Sequence, residues 1–238
     1  MHRKRQKMGL EISLTERKLY QFLDLLLNSP HNLTSIKEIE QAYIKHVEDI
    51  VKPFCGKELK GTFIDVGTGG GIPGLIMAIM FPETQWFLID SVKKKINEVE
   101  RFIGKLKLNN VRTVRNRAEE LSSEYRNYFD GAFSRALAKT DITLELCAPF
   151  VKKGGSCYIY KGPSWEKEKQ RISKACSILG FSEPKIVNYK LRDKSLRTLL
   201  IFIKVKETPE IFPRRVGKAL KKPIGTYPEN IQGDCNGR

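Results

Sequence analysis

Residues 63–74 read FIDVGTGGGIPG, an apolar run followed directly by eight residues of which five are glycine. Glycine weakens regular elements, so a cluster this dense relieves a steric problem. The usual problem is a nucleotide-like ligand that must touch backbone where a strand of an open α/β sheet ends. A mere tight turn would need one or two of these glycines.

The stretch fits two registers. Gly69, Gly71 and Gly74 satisfy G-x-G-x-x-G, the dinucleotide fingerprint, a weak match on its own. That register starts late, because Asp65, Val66, Gly67 and Thr68 stand between the apolar run and its first glycine. Asp65, Gly67, Gly69 and Gly71 instead satisfy D-x-G-x-G-x-G, the first motif of S-adenosylmethionine enzymes. In this register Gly67 ends the strand and the loop carries no cation for a pyrophosphate. The backbone then approaches the amino-acid part and ribose of the cofactor, and Asp65 supplies a carboxylate near its ammonium or sulfonium charge. Asp90 ends the next apolar run, WFLID, and an acidic residue there accepts both ribose hydroxyls of either cofactor. S-adenosylmethionine is the expected cofactor and NAD its rival.

Working outward, strands are expected at Thr62–Val66, Gln85–Ile89, Val111–Val114, Gly131–Ser134, Ser156–Tyr160, Lys185–Tyr189 and Leu199–Lys204. Helices fall between most of them, the clearest at Ser91–Leu106, Ile142–Pro149 and Trp165–Leu179. Repeated strand–helix alternation means a parallel, doubly wound sheet. About nine residues separate the last two strands, too few for a crossover, so they should form an antiparallel hairpin. A seven-stranded sheet with a reversed last strand is the class I S-adenosylmethionine-dependent methyltransferase (Rossmann-like) fold.

Residues 1–60 read as a helical N-terminal segment. Ser13 and Glu16 have capping-box spacing ahead of Leu19, Phe22, Leu23 and Leu26, which share one helical face. A second box, Ser35 and Glu38, opens a run with Ile36, Ile39, Tyr43, Val47 and Ile50, closed by Pro53 and Gly56. Residues 61–205 form the methyltransferase domain. Residues 206–238 are a basic, proline-containing tail, too polar to add a core, whose last dozen residues are expected to be disordered.

The 238 residues carry 43 Lys and Arg against 27 Asp and Glu, a net charge of +16. Such an excess suits a polyanionic partner. No stretch approaches the roughly 20 apolar residues that span a bilayer. The basic start MHRKRQKM lacks the apolar segment of a signal peptide. Five cysteines without a C-x-x-C pair argue against disulfides and zinc, and for a reduced, cytoplasmic, metal-free protein.

The methyl acceptor is narrowed by what is missing. The fourth strand leads into FDGAFSRALA (residues 129–138) and not into N-P-P-Y, so base-amine methylation is disfavoured. Attack at pyrimidine carbon 5 needs a cysteine nucleophile, and Cys147 in LCAPF is misplaced for it. Ring nitrogens, ribose hydroxyls and small molecules remain. Arg135 lies just past the fourth strand, Lys161 at the same end of the fifth, and Arg197 just before the last. These three are the candidate catalytic and RNA-holding residues. Trp165 reads as packing, and His31 and His46 as polar residues of the helical region.

The motifs NLTSI (32–36), KHVEDI (45–50), DVGTGGGIPG (65–74), LIDSVKKKINEVERF (88–102), NRAEEL (116–121), SRALA (134–138), VKKGG (151–155) and TPEIFPRRVGKALKKPI (208–224) occur in the order of one family. From about Asn32 to Ile224 the chain resembles the bacterial small-subunit ribosomal RNA guanine-N7 methyltransferases, RsmG or GidB. The resemblance implies a cytoplasmic enzyme that uses S-adenosylmethionine to methylate the guanine at position 527 of 16S rRNA, free or in the small ribosomal subunit. It also implies cofactor contacts at Gly67, Ile72, Ala118, Glu119 and Arg135. The chain departs in GGGIPG, with a glycine where many members have proline or alanine, and in KHVEDI, which replaces KHFLDSL-type text. On the residues themselves, a small-molecule methyltransferase and a non-catalytic RNA-binding protein stay open. Cofactor binding separates the second from an enzyme, and salt-sensitive RNA binding separates the first from an RNA-directed one.

Overall fold

The computed structural model describes residues 13–121 and 123–226. Seven strands, β1 (Thr62–Val66), β2 (Gln85–Ile89), β3 (Val111–Val114), β4 (Phe129–Arg135), β5 (Val151–Lys161), β6 (Lys185–Lys190) and β7 (Leu196–Ile203), lie in the order β3-β2-β1-β4-β5-β7-β6. The first five are parallel, and β7 runs antiparallel between β5 and β6. The hairpin expected from the short β6–β7 connection is therefore present.

The inner strands are apolar on both faces because both faces are covered. Along β1, Phe63 enters one core while Ile64 and Val66 enter the other; along β2, Trp86 and Leu88 oppose Phe87 and Ile89. The core holding Phe63 and Trp86 is closed by α1 (Leu14–Leu27), α2 (Ile39–Ala42), α3 (Asp49–Val51), α4 (Gly74–Met80) and α5 (Lys93–Leu106). The other is closed by α6 (Thr140–Cys147) and α7 (Lys169–Leu179).

Helix α1 starts as its capping box requires: the Glu16 amide donates to Ser13 Oγ at 3.1 Å. It buries Leu19, Phe22, Leu23 and Leu26, each contributing about 1.5–3 kcal/mol. Phe22 meets Phe102 of α5 edge-on, so the N-terminal helices share a core with the sheet. The second capping box does not form. Thr34 Oγ1 instead accepts the Ile36 amide at 3.2 Å, and the helix begins at Ile39 with Glu38 making no side-chain cap. Between α2 and α3 the chain widens into a π-helical stretch, Tyr43–Glu48. Such stretches frequently mark functional sites.

The tail also differs from expectation. Phe212, Ala219 and Ile224 are buried in the core beside α6 and α7, while Arg215, Lys218, Lys221 and Lys222 face solvent. Its polar groups next to the core are paired: Arg214 clasps the fully buried Glu145 at 2.7 and 2.6 Å, and Arg126 donates to the carbonyls of Thr208 and Phe212. Few apolar residues suffice when charged neighbours find partners at the rim. The expected disordered end and the basic start MHRKRQKM lie outside the described residues. Among the described residues no helix is long and apolar enough to cross a membrane.

Candidate active site

Strand order reverses between β1 and β4, and open α/β sheets bind ligands at such a switch point. The glycine loop leaves β1 there. Gly67 has φ +75°, and a Cβ on it would lie 2.6 Å from Leu137 Cδ1, so the loop and the segment after β4 touch where no side chain fits. Gly71, at φ +89°, would strike Leu75 of α4 at 2.5 Å.

Two carboxylates hold this loop. Asp65, fully buried, accepts the Thr68 hydroxyl at 2.6 Å and the Gly74 amide at 2.9 Å through Oδ2, while Oδ1 has no partner among the described residues. Burial pushes its carboxyl up to about 7. Asp90, at the end of β2, accepts the Gly69 amide at 3.1 Å and the Val92 amide at 2.9 Å, with Lys95 at 3.9 Å. An ionised carboxylate has about four lone-pair sites, so acceptor capacity remains on Asp90. Ile72 is half-buried against the core of the N-terminal helices, and its amide donates to the Thr68 carbonyl. After β3, Ala118 packs into the other core, and Glu119 Oε1 accepts the Gly217 amide of the tail at 3.2 Å. Apart from Asp65, which lies within β1, these residues lie beyond the carboxyl ends of β1, β2 and β3.

Beyond β4 and β5 opens a cleft of about 360 Å³ lined by Asp49, Arg135, Leu137, Tyr160, Lys161 and Arg197, among others. Arg135 and Lys161 end their strands, whereas Arg197 lies within β7, which begins at Leu196 and not at Leu199. The antiparallel pairing of β5 with β7 sets Lys161 opposite Thr198 and so brings Arg197 to the end of the sheet where Arg135 stands. Ala136, next to Arg135, has φ +55°, a costly conformation for a residue with a Cβ. Such strain clusters at functional sites.

At the centre is a residue the sequence reading missed. Asp49 Oδ2 lies 3.6 Å from Arg135 Nε, and Oδ1 lies 3.7 Å from Arg197 Nε and 2.9 Å from the Tyr189 hydroxyl. Burial raises the Asp49 carboxyl, against the pull of Arg135, Tyr189 and Arg197. The Tyr160 hydroxyl donates to the Ile50 carbonyl at 2.9 Å. His46, read from the sequence as a polar residue of the helical region, is buried against Arg135, with Nδ1 3.3 Å from Nη2. The motif KHVEDI places His46 and Asp49 three residues apart, a spacing that was the available signal for a shared partner. Lys161 donates to the Ala138 carbonyl at 3.1 Å and pairs with Glu168 at 3.2 Å.

Other expectations resolve simply. Trp165 is buried in the core. Cys147 closes α6 fully buried, its thiol raised well above the ordinary value by Cys157 and burial, and so is no nucleophile for RNA. Among the described residues no group of three or more His, Cys, Asp or Glu is arranged to hold a metal ion.

Residues 15–197 match the family model GidB, described as rRNA small subunit methyltransferase G. The chain belongs to this family. Proteins named ribosomal RNA small subunit methyltransferase G from Pseudothermotoga lettingae and Thermotoga neapolitana are 43% identical over 221 residues and 41% identical over 207 residues. The alignments cover 92% and 87% of this chain, and 96% and 90% of those proteins. The resemblance drawn from ordered motifs is thereby established. Among solved structures, TYW2 of M. jannaschii in complex with AdoMet aligns with a TM-score of 0.55 at 15% identity, covering 67% of this chain and 76% of that one. A 16S rRNA (adenine(1408)-N(1))-methyltransferase mutant from Catenulisporales acidiphilia aligns at 0.53 and 15%, covering 68% and 92%. These likenesses confirm the class I methyltransferase fold.

Proposed function

We propose that the chain transfers the methyl group of S-adenosylmethionine to N7 of a guanine in small-subunit ribosomal RNA, the one at position 527 in the family's pattern, as a cytoplasmic enzyme acting on free RNA or the small subunit. The observation that carries this reading is the cleft beside Gly67: two guanidiniums border it with one carboxylate between them, and its acid–base groups are all engaged. Asp49 faces Arg135 and Arg197, Glu168 faces Lys161 and Thr140, and His46 faces Arg135 and Thr34.

The residues fit the cofactor. The partnerless Asp65 Oδ1 is a buried acceptor beneath the glycine loop, and Asp90 keeps lone pairs for ribose hydroxyls. Gly67, Gly69, Gly71 and Ile72 would supply backbone along the amino-acid part, and Ala118 and Glu119 would flank the adenine. When bound, S-adenosylmethionine supplies a methyl group already activated by its sulfonium.

Guanine N7 carries a free lone pair at neutral pH, so no residue need remove a proton before transfer. What the chain must do is align the base, and proximity and orientation can lower a barrier by roughly 7–11 kcal/mol. Arg135, Lys161 and Arg197 line the cleft and would act as donors to guanine O6 or to flanking phosphates, and the net charge of +16 would draw in the RNA. Read-out at the N7 edge requires an unpaired nucleotide. Single-turnover transfer to an RNA of the target loop tests the reading. The rate should rise by much less than tenfold per pH unit from about pH 6.5 to 8.5, because Asp65, raised to about 7, holds Thr68 and Gly74 and removes no proton from the guanine. RNA carrying 7-deazaguanine at the target should bind and accept no methyl, and methylation of that RNA would mean another atom is the nucleophile.

A further inference from the structure

A guanidinium presents five N–H donors in a rigid fork and no acceptor. In Arg135, Nε faces Asp49 at 3.6 Å and Nη2 meets His46 Nδ1 at 3.3 Å, while Nη1 is buried and partnerless among the described residues. Because arginine only donates, Nδ1 must be the acceptor. The imidazole is therefore neutral, with its hydrogen on Nε2, which donates to Thr34 Oγ1 at 3.0 Å. Burial and the neighbouring Arg135 lower His46 to about 4, so this form persists at neutral pH. Thr34 is itself fixed by the Ile36 amide, and His46 sits in the π-helical stretch Tyr43–Glu48. A chain of contacts thus runs from the N-terminal segment through one imidazole to one nitrogen of the guanidinium that borders the cleft.

We propose that His46 is a positioning residue, which fixes the guanidinium of Arg135 so that Nη1 is left to donate to the methyl acceptor. Arginine carries a long, rotamer-rich side chain, and Asp49 alone defines one edge of its fork at a long distance. The second contact, from His46, sets the plane. An Nη1 left without a partner in the absence of acceptor is a buried donor whose cost is relieved when an acceptor oxygen or nitrogen enters. This assignment rests on the reading of the cleft as the site of the acceptor guanine.

The test uses three substitutions in the full chain. His46→Asn returns an acceptor oxygen close to the place of Nδ1. His46→Gln returns a polar group only near Nε2, toward Thr34. His46→Leu returns neither. Single-turnover methyl transfer at saturating RNA is measured with S-adenosylmethionine affinity by calorimetry and with melting temperature. With S-adenosylmethionine held saturating at the affinity measured for each variant, His46→Leu and His46→Gln should lose at least tenfold in rate, and His46→Asn should stay within about threefold of wild type. Equal rates for Asn and Gln, or a wild-type rate in any variant lacking the Nδ1 acceptor, would overturn the assignment. Should Leu fail to fold, the Asn–Gln pair decides alone. A wild-type chain that methylates no guanine in the RNA would instead overturn the functional reading beneath it, and the assignment with it.

Discussion

Asp49→Asn is the sharpest probe of the cleft's electrostatics. It keeps an amide oxygen for the Tyr189 hydroxyl, which also reaches the Asp49 backbone carbonyl at 2.9 Å, and removes only the charge. At the observed separations of 3.6 and 3.7 Å each ion pair has about 4–5 kcal/mol of gross attraction at an effective dielectric of about 20. Against this stand the desolvation of a carboxylate that is nearly inaccessible and the mutual repulsion of the two guanidiniums, and removal of one partner from a buried pair typically costs 3–5 kcal/mol. Both arginines retain about a fifth of their side-chain exposure, at 21% and 23%, so water recovers part of the loss. Because the Asp49 carboxyl is raised in spite of both arginines, its desolvation outweighs its pairing, and the neutral Asn should leave Tm unchanged or raise it by a few degrees. Urea unfolding followed by circular dichroism, with the m-value checked for constancy, measures the change in stability. An Asn variant destabilised by about 2–4 kcal/mol, with Tm lowered by about 5–15 °C, would show that pairing with the two arginines outweighs desolvation of Asp49.

Three further expectations follow from the same geometry. Asp90→Ala removes an acceptor from the Gly69 and Val92 amides as well as the proposed acceptor for the ribose hydroxyls, so affinity for S-adenosylmethionine should fall at least tenfold by calorimetry; binding of NAD with none of S-adenosylmethionine would contradict the cofactor assignment. The pH dependence of stability has opposed contributions. His46 is lowered from 6.5 to about 4, so its unfolded state takes a proton first and stability is lost as pH falls through that window. Asp65 is raised from 3.8 to about 7, so the folded state keeps a proton longer and stability is lost as pH rises through that window. The two offset between about pH 4 and 6.5, and in His46→Asn the slope should become more negative by about 1.4 kcal/mol per pH unit; an unchanged slope would mean that His46 titrates normally. Truncation after Glu207 would remove buried Phe212, Ala219 and Ile224 and the Arg214–Glu145 clasp, so it should destabilise the fold and cannot isolate RNA binding. Lys218→Glu with Lys221→Glu leaves the core intact; it should weaken RNA binding and its salt dependence, and an unchanged salt slope would place the tail outside the RNA footprint.

Much of the sheet could be read directly because its physics is local. Strands β1 and β2 are short apolar runs bounded by turn residues, and the hairpin of β6 and β7 follows from chain length alone. The place of the glycine loop after β1 and of Asp90 after β2 likewise needed only spacing. What escaped the sequence depends on partners distant in the chain. Thr34 takes the Ile36 amide and pre-empts the cap that Ser35 and Glu38 suggested. His46 and Asp49 gain meaning only when β4 and β7 deliver Arg135 and Arg197 to them. The tail's three buried apolar residues are invisible against its basic composition until Glu145 of α6 accepts Arg214. Asp65 looked like a ligand to the cofactor's charge, and the structure gives it a prior duty, holding Thr68 and Gly74 in place.

The central claim is that one guanine N7 in small-subunit ribosomal RNA is the acceptor. It is tested most directly by mapping N7-methylguanine in that RNA from cells with and without the protein, and from cells carrying Arg135→Ala. The account predicts a single methylated guanine, at position 527, that is present only with the intact chain and absent or strongly reduced with the substitution. A modification pattern identical in all three cell lines, or a methyl group lost from a different base or atom, would contradict it.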